Sequence, residues 1–150
     1  MKASMDGANP VEIVSVSSSG LSDPMGIDID YWSCKLFWVD YDTNMVQSST
    51  LDGRGIQTIA VLHDDTHPWG IAVDENLLYY GNWNMESSEL RSSTKTGGNT
   101  RIIYNGSKPI QKLAVAAPAP PPTSRSNDCA GQSCSGICVL MPSAFRCLTD

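Results

Sequence analysis

The stretch LFWVDY, Leu36 to Tyr41, decides how this chain is read, because LYYGNW at Leu78 to Trp83 repeats its form. Each has a leucine, two aromatics, a small residue, an acid or amide, and a further aromatic. The words around the two copies recur as well. MDGANPVEIVSV and LSDPMGIDID, from Met5, precede the first copy, and LDGRGIQTIAVL and THPWGIAVD, from Leu51, precede the second. A third, partial copy from Lys95 reads KTGGNTRIIY and SKPIQKLAV. Gly7, Gly53 and Gly97 mark the copies at intervals of 46 and 44 residues, and Pro24, Pro68 and Pro109 each stand before an apolar run.

Within a copy, period-two or short apolar runs rich in Val, Ile, Tyr and Trp alternate with Gly, Asn, Asp and Pro, which is a β pattern throughout. The runs predict ten strands, at residues 11–16, 25–30, 35–40, 45–50, 56–62, 69–74, 77–82, 88–94, 100–104 and 110–116. Four strands per unit of about 40 to 45 residues is the pattern of a β-propeller blade, a sheet that cannot cover its own faces and stacks on its neighbours. The expected fold class is all-β: a partial propeller over residues 5–116, with about two full blades and two orphan strands. APAPPPTSRSND follows Ala116; a Pro-rich stretch of this kind cannot join a sheet, so 117–127 reads as a semi-rigid spacer. Residues 128–150 hold Cys129, Cys134, Cys138 and Cys147, close together and without histidine partners. That favours a small disulfide module over a zinc site, and an oxidising compartment. Cys34 has no obvious partner and reads as a half-buried small residue in a turn.

Composition narrows the function. Ten Lys and Arg against sixteen Asp and Glu give a net charge of −6, without the basic stripe that nucleic acid requires. No apolar run approaches membrane-spanning length, and MKASMDGANP does not read as a signal peptide. HDDTH, His63 to His67, imitates the His-Glu-x-x-His zinc motif, but Pro68 biases His67 away from a helix and no third ligand follows. DYDTN, Asp40 to Asn44, begins like a calcium loop but lacks its glycine and its closing glutamate. No catalytic residues, metal site or cofactor are assigned. Asn105-Gly106-Ser107 is a glycosylation tripeptide in a predicted loop, usable if the chain is secreted.

LFWVD and LYYGN resemble the YWTD motif of low-density lipoprotein receptor class B repeats, as do the Asp-Gly pairs at Asp6-Gly7 and Asp52-Gly53. Pro24-Met25-Gly26-Ile27-Asp28 and Pro68-Trp69-Gly70-Ile71-Ala72-Val73-Asp74 fit the repeat's Pro-x-Gly word. In that family six blades close a propeller and an EGF-like module follows, which NDCAGQSCSGICVLMPSAFRC resembles. The resemblance implies that the aromatics Phe37, Trp38, Tyr79 and Tyr80 pack between blades. It also implies that the acid at Asp40, replaced by Asn82 in the second copy, hydrogen-bonds backbone of a neighbouring blade. It further implies pairing of Cys129 with Cys138 and of Cys134 with Cys147. The module departs from the family at position 149, a Thr, and two blades cannot close a ring, so the chain reads as a C-terminal propeller fragment that awaits the remaining blades.

By resemblance the function is non-catalytic. The chain is expected to be a receptor module on the extracellular side of the cell membrane, or secreted, binding protein ligands on a propeller rim. The wording is most similar to receptor-related proteins of the Wnt-coreceptor and agrin-receptor type, signalling or endocytic. A matrix protein of nidogen type is the alternative. A six-bladed propeller hydrolase is the third reading, disfavoured because the inner strands carry no matched calcium ligands. The expected ligand-binding residues lie in two sets of rim loops: His63, Asp64, Asp65, His67 and Trp69, and Tyr41, Asp42, Asn44, Trp83, Asn84 and Glu86. Rigid rings beside carboxylates suit a hot spot for a peptide or basic loop, with Trp83 first among them.

Overall fold

The computed structural model describes residues 1–3, 6–63, 66–116, 137–140 and 145–148. These fall into two units, one spanning Val14–Pro118 and the other combining Met1–Ile13 with Ala119–Asp150.

The larger unit holds two four-stranded antiparallel sheets. Sheet 1 runs β1 (Pro24–Asp30), β2 (Lys35–Asp40), β3 (Met45–Thr50) and β4 (Gln57–Val61) in chain order, and sheet 2 runs β5 (His67–Val73), β6 (Leu77–Trp83), β7 (Ser88–Thr94) and β8 (Arg101–Gly106). Each is a simple meander, as expected when short turns join neighbouring strands. The register puts both motif copies on second strands: Pro24 lies opposite Asp40, and Pro68 opposite Asn82. Because successive side chains alternate between faces, Phe37 and Val39 point one way and Leu36, Trp38 and Asp40 the other. The core is the seam between the sheets. Phe37, Val39 and Val46 of sheet 1 pack with Ile71, Val73, Leu78 and Tyr80 of sheet 2, joined by Leu62.

The inner strands meet closely. A Cβ on Gly26 of β1 would stand 2.7 Å from the Trp69 carbonyl of β5, so only glycine lets the backbones approach. Asp28 of β1 reaches across to accept a 2.8 Å bond from the Val73 amide. At the other end of the seam Lys95, just past β7, places its ammonium 2.5 Å from the carboxylate of Asp30, which is fully buried.

The strand pattern departs from expectation at its two ends. Residues 11–16 form no strand; Val11 makes an isolated bridge to Lys2, and a short helix, α1 (Val16–Ser19), follows. Residues 110–116 form none either. Both runs have β composition, but among the described residues neither has a third or fourth sheet to pair with, and a strand without a ladder partner leaves its amides and carbonyls unmet. The position of 110–113 is nonetheless that of an inner strand. Gly70 of β5 faces the Ile110 carbonyl, at 3.3 Å from its would-be Cβ, just as Gly26 faces that of Trp69.

The outer hairpins repeat in three copies. Lys2 lies opposite Val11, Ser48 opposite Gln57, and Ser92 opposite Arg101. Each hairpin turns on a glycine of positive φ, Gly7 at 80°, Gly53 at 82° and Gly97 at 88°. Two residues later comes a second positive-φ position, filled by Asn9, Gly55 and Asn99.

In the smaller unit β9 (Ile137–Leu140) pairs antiparallel with β10 (Phe145–Leu148), and Cys138 stands opposite Cys147. Cys129 and Cys134 lie outside the described residues, and with them the expected pairing. Cys34 is free, and it is exposed rather than half-buried: it sits at φ +53° in the tight turn between β1 and β2. No helix among the described residues is long and apolar enough to cross a membrane.

Candidate functional site

The turns β2–β3 and β6–β7 and the connection from β4 to β5 all emerge at one end of the two sheets, and the structure gathers rings there. Tyr41 follows β2, and His67 and Trp69 begin β5. The Tyr41 and His67 rings stack at 4.1 Å between centroids and 16° between planes. Trp69 meets Tyr41 edge-on at 5.9 Å and 81°. Trp83, the last residue of β6, lies opposite His67 in the ladder. Two blades thus contribute to one aromatic group of Tyr41, His67 and Trp69, with Trp83 next to it in the ladder, and all four residues are partly exposed.

Asn44 holds this group in place. It is buried, at φ +55°, a conformation that Asn tolerates better than most residues. Its amide nitrogen donates to the Tyr41 carbonyl at 3.0 Å and the Thr66 carbonyl at 3.1 Å, and His67 Nδ1 stands 3.0 Å from that nitrogen and 3.1 Å from the Tyr41 carbonyl. One side chain therefore ties the β2–β3 turn to the start of the next blade.

The other expected rim residues are spread more widely. Glu86 is exposed in the β6–β7 turn, where Asn84 Oδ1 accepts from the Glu86 amide at 3.0 Å and the Ser87 amide at 2.7 Å. Asp42 is exposed and accepts from the Ser22 hydroxyl at 3.0 Å. The His63 carbonyl accepts from the Thr66 amide at 3.0 Å. Asp64 and Asp65 lie outside the described residues.

The motif residues sit behind the rim. Phe37, Trp38, Tyr80, Asp40 and Asn82 are buried, and Tyr79 is half-buried, its hydroxyl donating to Asp74 at 3.0 Å. Asp40 differs from expectation: its carboxylate accepts from the Ser22 and Asp23 amides, at 2.7 and 3.0 Å, in the segment leading into its own sheet, and from the Thr43 amide and hydroxyl. The reason is geometric, since Asp40 lies on the face of β2 turned away from sheet 2. Asn82, at the matching place, has a buried Oδ1 without a hydrogen-bond partner.

The opposite end carries groups that sequence reasoning did not single out. Tyr31 and Trp32 are exposed in the β1–β2 turn, and the Lys95 ammonium stands 5.8 Å from the Trp32 ring centroid. Burial pushes the Asp30 carboxyl up, but bonds from Lys95, the Ser33 hydroxyl and the Ser33 amide outweigh it and hold the group below the usual carboxylate range. YWS after Asp30 was the available signal: two large aromatics in a turn with no apolar partner nearby. Among the described residues no three His, Cys, Asp or Glu side chains converge on a common point that would suit a metal ion.

Stacked meander sheets with a repeated aromatic-aromatic-x-acid or amide word on each second strand define a β-propeller module of the YWTD type. No family profile matches the chain. It is similar to human low-density lipoprotein receptor-related protein 5, at 29% identity over 98% of this chain and 9% of that protein. It is also similar to the vitellogenin receptor Yl of Drosophila melanogaster, at 31% over 93% of this chain and 7% of the relative, and to the vitellogenin receptor of Solenopsis invicta, at 34% over 92% and 7%. Among solved structures, the nidogen/laminin complex superposes with a TM-score of 0.60 at 25% identity, over 69% of this chain and 38% of the matched one. The chain is a relative of the lipoprotein-receptor-related proteins and carries their LDL-receptor class B repeats. It spans less than a tenth of the length of these curated relatives.

Proposed function

We propose that this chain is a non-catalytic, extracellular binding module of a lipoprotein-receptor-related receptor, and that protein ligands dock on the rim that carries Tyr41, His67, Trp69 and Trp83. The observation that carries this reading is the ring cluster itself. Three partly exposed rings in mutual contact, drawn from two blades and tied together by buried Asn44 at Tyr41 and His67, with Trp83 beside them in the ladder, form a platform that loses little entropy on binding. The acidic balance of the chain favours a peptide or loop with basic residues, which the surrounding carboxylates steer toward the rings. The domain plan behind it is a partial propeller at 5–116, a spacer at 117–127 and a truncated EGF-like module at 128–150. The receptor names of the relatives support this class, and the finer assignment to a Wnt-coreceptor or agrin-receptor type rests on the wording of the repeats. A matrix role of nidogen type is the second reading, favoured by the likeness to the nidogen/laminin complex.

The test is selection of a displayed peptide library on the full chain, followed by titration of the selected peptides. Trp83→Ala and Trp69→Ala should each weaken binding by about 1 to 3 kcal/mol, while Tyr31→Ala, exposed in the β1–β2 turn at the opposite end of the sheets, leaves it unchanged. Peptides that bind all three variants alike would place the ligand surface elsewhere.

A further inference from the structure

The outer edge of sheet 2 carries an exposed apolar strand and a sugar-acceptor tripeptide side by side. β8 is the last strand in its sheet and pairs with β7 alone, so one side of its backbone ladder is open. Open edges invite pairing with a second chain unless something blocks them. Ile102, Ile103 and Tyr104 are 51%, 50% and 56% exposed, three consecutive apolar residues on that edge. The matching edge strand of sheet 1, β4, exposes less apolar surface, because its Ile59 and Ala60 pack on the core. Directly after Tyr104 comes Asn105-Gly106-Ser107, the one Asn-x-Ser/Thr tripeptide in the chain. It lies at the end of β8 and not in a free loop, yet Asn105 is exposed. The Tyr104 ring folds over Gly106, its hydroxyl oxygen 2.7 Å from where a Cβ would stand, which brings an aromatic surface next to the acceptor.

We propose that Asn105 carries an N-linked glycan that shields the β8 edge. This rests on the extracellular reading above, since the modification requires the secretory route. The donor is a lipid-pyrophosphate-linked oligosaccharide, used by the host transferase. The Asn105 side-chain nitrogen forms a bond to the anomeric carbon of the first N-acetylglucosamine, the bond from that carbon to the pyrophosphate oxygen breaks, and the amide proton leaves with the transferase's base. The sugar stands beside the ring cluster and not on it. His67, Trp83, Ser88 and Gly106 lie opposite one another in successive strands, so the acceptor is about three strand spacings, roughly 14 Å, from His67.

The experiment is export of the full chain behind a cleavable secretory leader in animal cells, with peptide mapping before and after peptide-N-glycosidase. Asn105 should be occupied, Asn105→Gln and Ser107→Ala should both lose the sugar, and Ser107→Thr should keep it. By size exclusion the two sugar-free variants should associate at concentrations where the wild type and Ser107→Thr do not. An exported wild-type chain with Asn105 bare, or sugar-free variants that associate no more than the wild type, overturns the proposal. Because the leader forces export, such a result leaves the extracellular reading untouched; that reading fails separately if surface biotinylation of the native protein in its own cells labels nothing.

Discussion

Asp40 and Asn82 occupy one place in two copies of the same motif, and their surroundings explain why one is an acid and the other an amide. Asp40 is met by two amides from the preceding segment and by Thr43, enough to hold a buried carboxylate. Asn82 Oδ1 meets no donor, so a full charge there would be costly. The buried charge that matters more is Asp30. Its pKa is depressed in the fold, so its contribution to stability is present above the unfolded value, near ~3.9, and disappears as the pH falls through the folded value. Lys95→Met removes a partner from a buried carboxylate and should destabilise the protein by on the order of 2 to 3 kcal/mol at neutral pH, less than the largest such losses because Trp32 and Ser33 still donate. Melting temperature against pH checks both points: the wild type should lose stability below about pH 4, and the variant should start lower and fall less steeply. Equal melting temperatures at neutral pH would mean that Lys95 does not reach Asp30 in solution.

At the scale of the element, the three outer hairpins show what a glycine at fixed spacing means. Gly7, Gly53 and Gly97 all hold the left-handed region, which an L side chain enters at a cost of about 1 kcal/mol or more. Their surroundings differ, however. A Cβ on Gly7 meets nothing within 4 Å, whereas on Gly97 it would stand 2.1 Å from the Ile59 carbonyl of the neighbouring sheet. Gly97→Ala should therefore cost several times as much as Gly7→Ala, a ranking that urea denaturation of the two variants measures directly. Eight strands were legible in the sequence because alternation and turn residues are local signals that sheet packing reinforces. The runs at 11–16 and 110–116 carry the same signal, but a strand also needs a partner, which no local pattern supplies. The sequence predicts a loop at Asn105 for a related reason: Asn and Gly are turn formers, yet the ladder with Ser88 and Glu89 carries the strand through them to Gly106.

For the whole molecule, the repeat made the stacking of sheets legible without showing which atoms join them. Asp28 and Val73 are 45 residues apart and Asp30 and Lys95 are 65 apart, distances over which a single sequence carries no pairing signal. The ring cluster was legible in part, because Tyr41, His67, Trp69 and Trp83 fall in or beside the turns that a propeller sends to one rim. The clamp by Asn44 was not, since its role depends on a left-handed conformation seen only in the fold. Native-state hydrogen exchange at the Val73 amide tests the stacking of the two blades most directly. Val73 is on the edge strand of sheet 2, and its amide is protected through Asp28 of sheet 1. It should exchange slowly in the wild type and rapidly in Asp28→Ala, while the β5–β6 ladder amides keep their protection. Rapid exchange at Val73 in the wild type would contradict the face-to-face packing on which the propeller assignment stands.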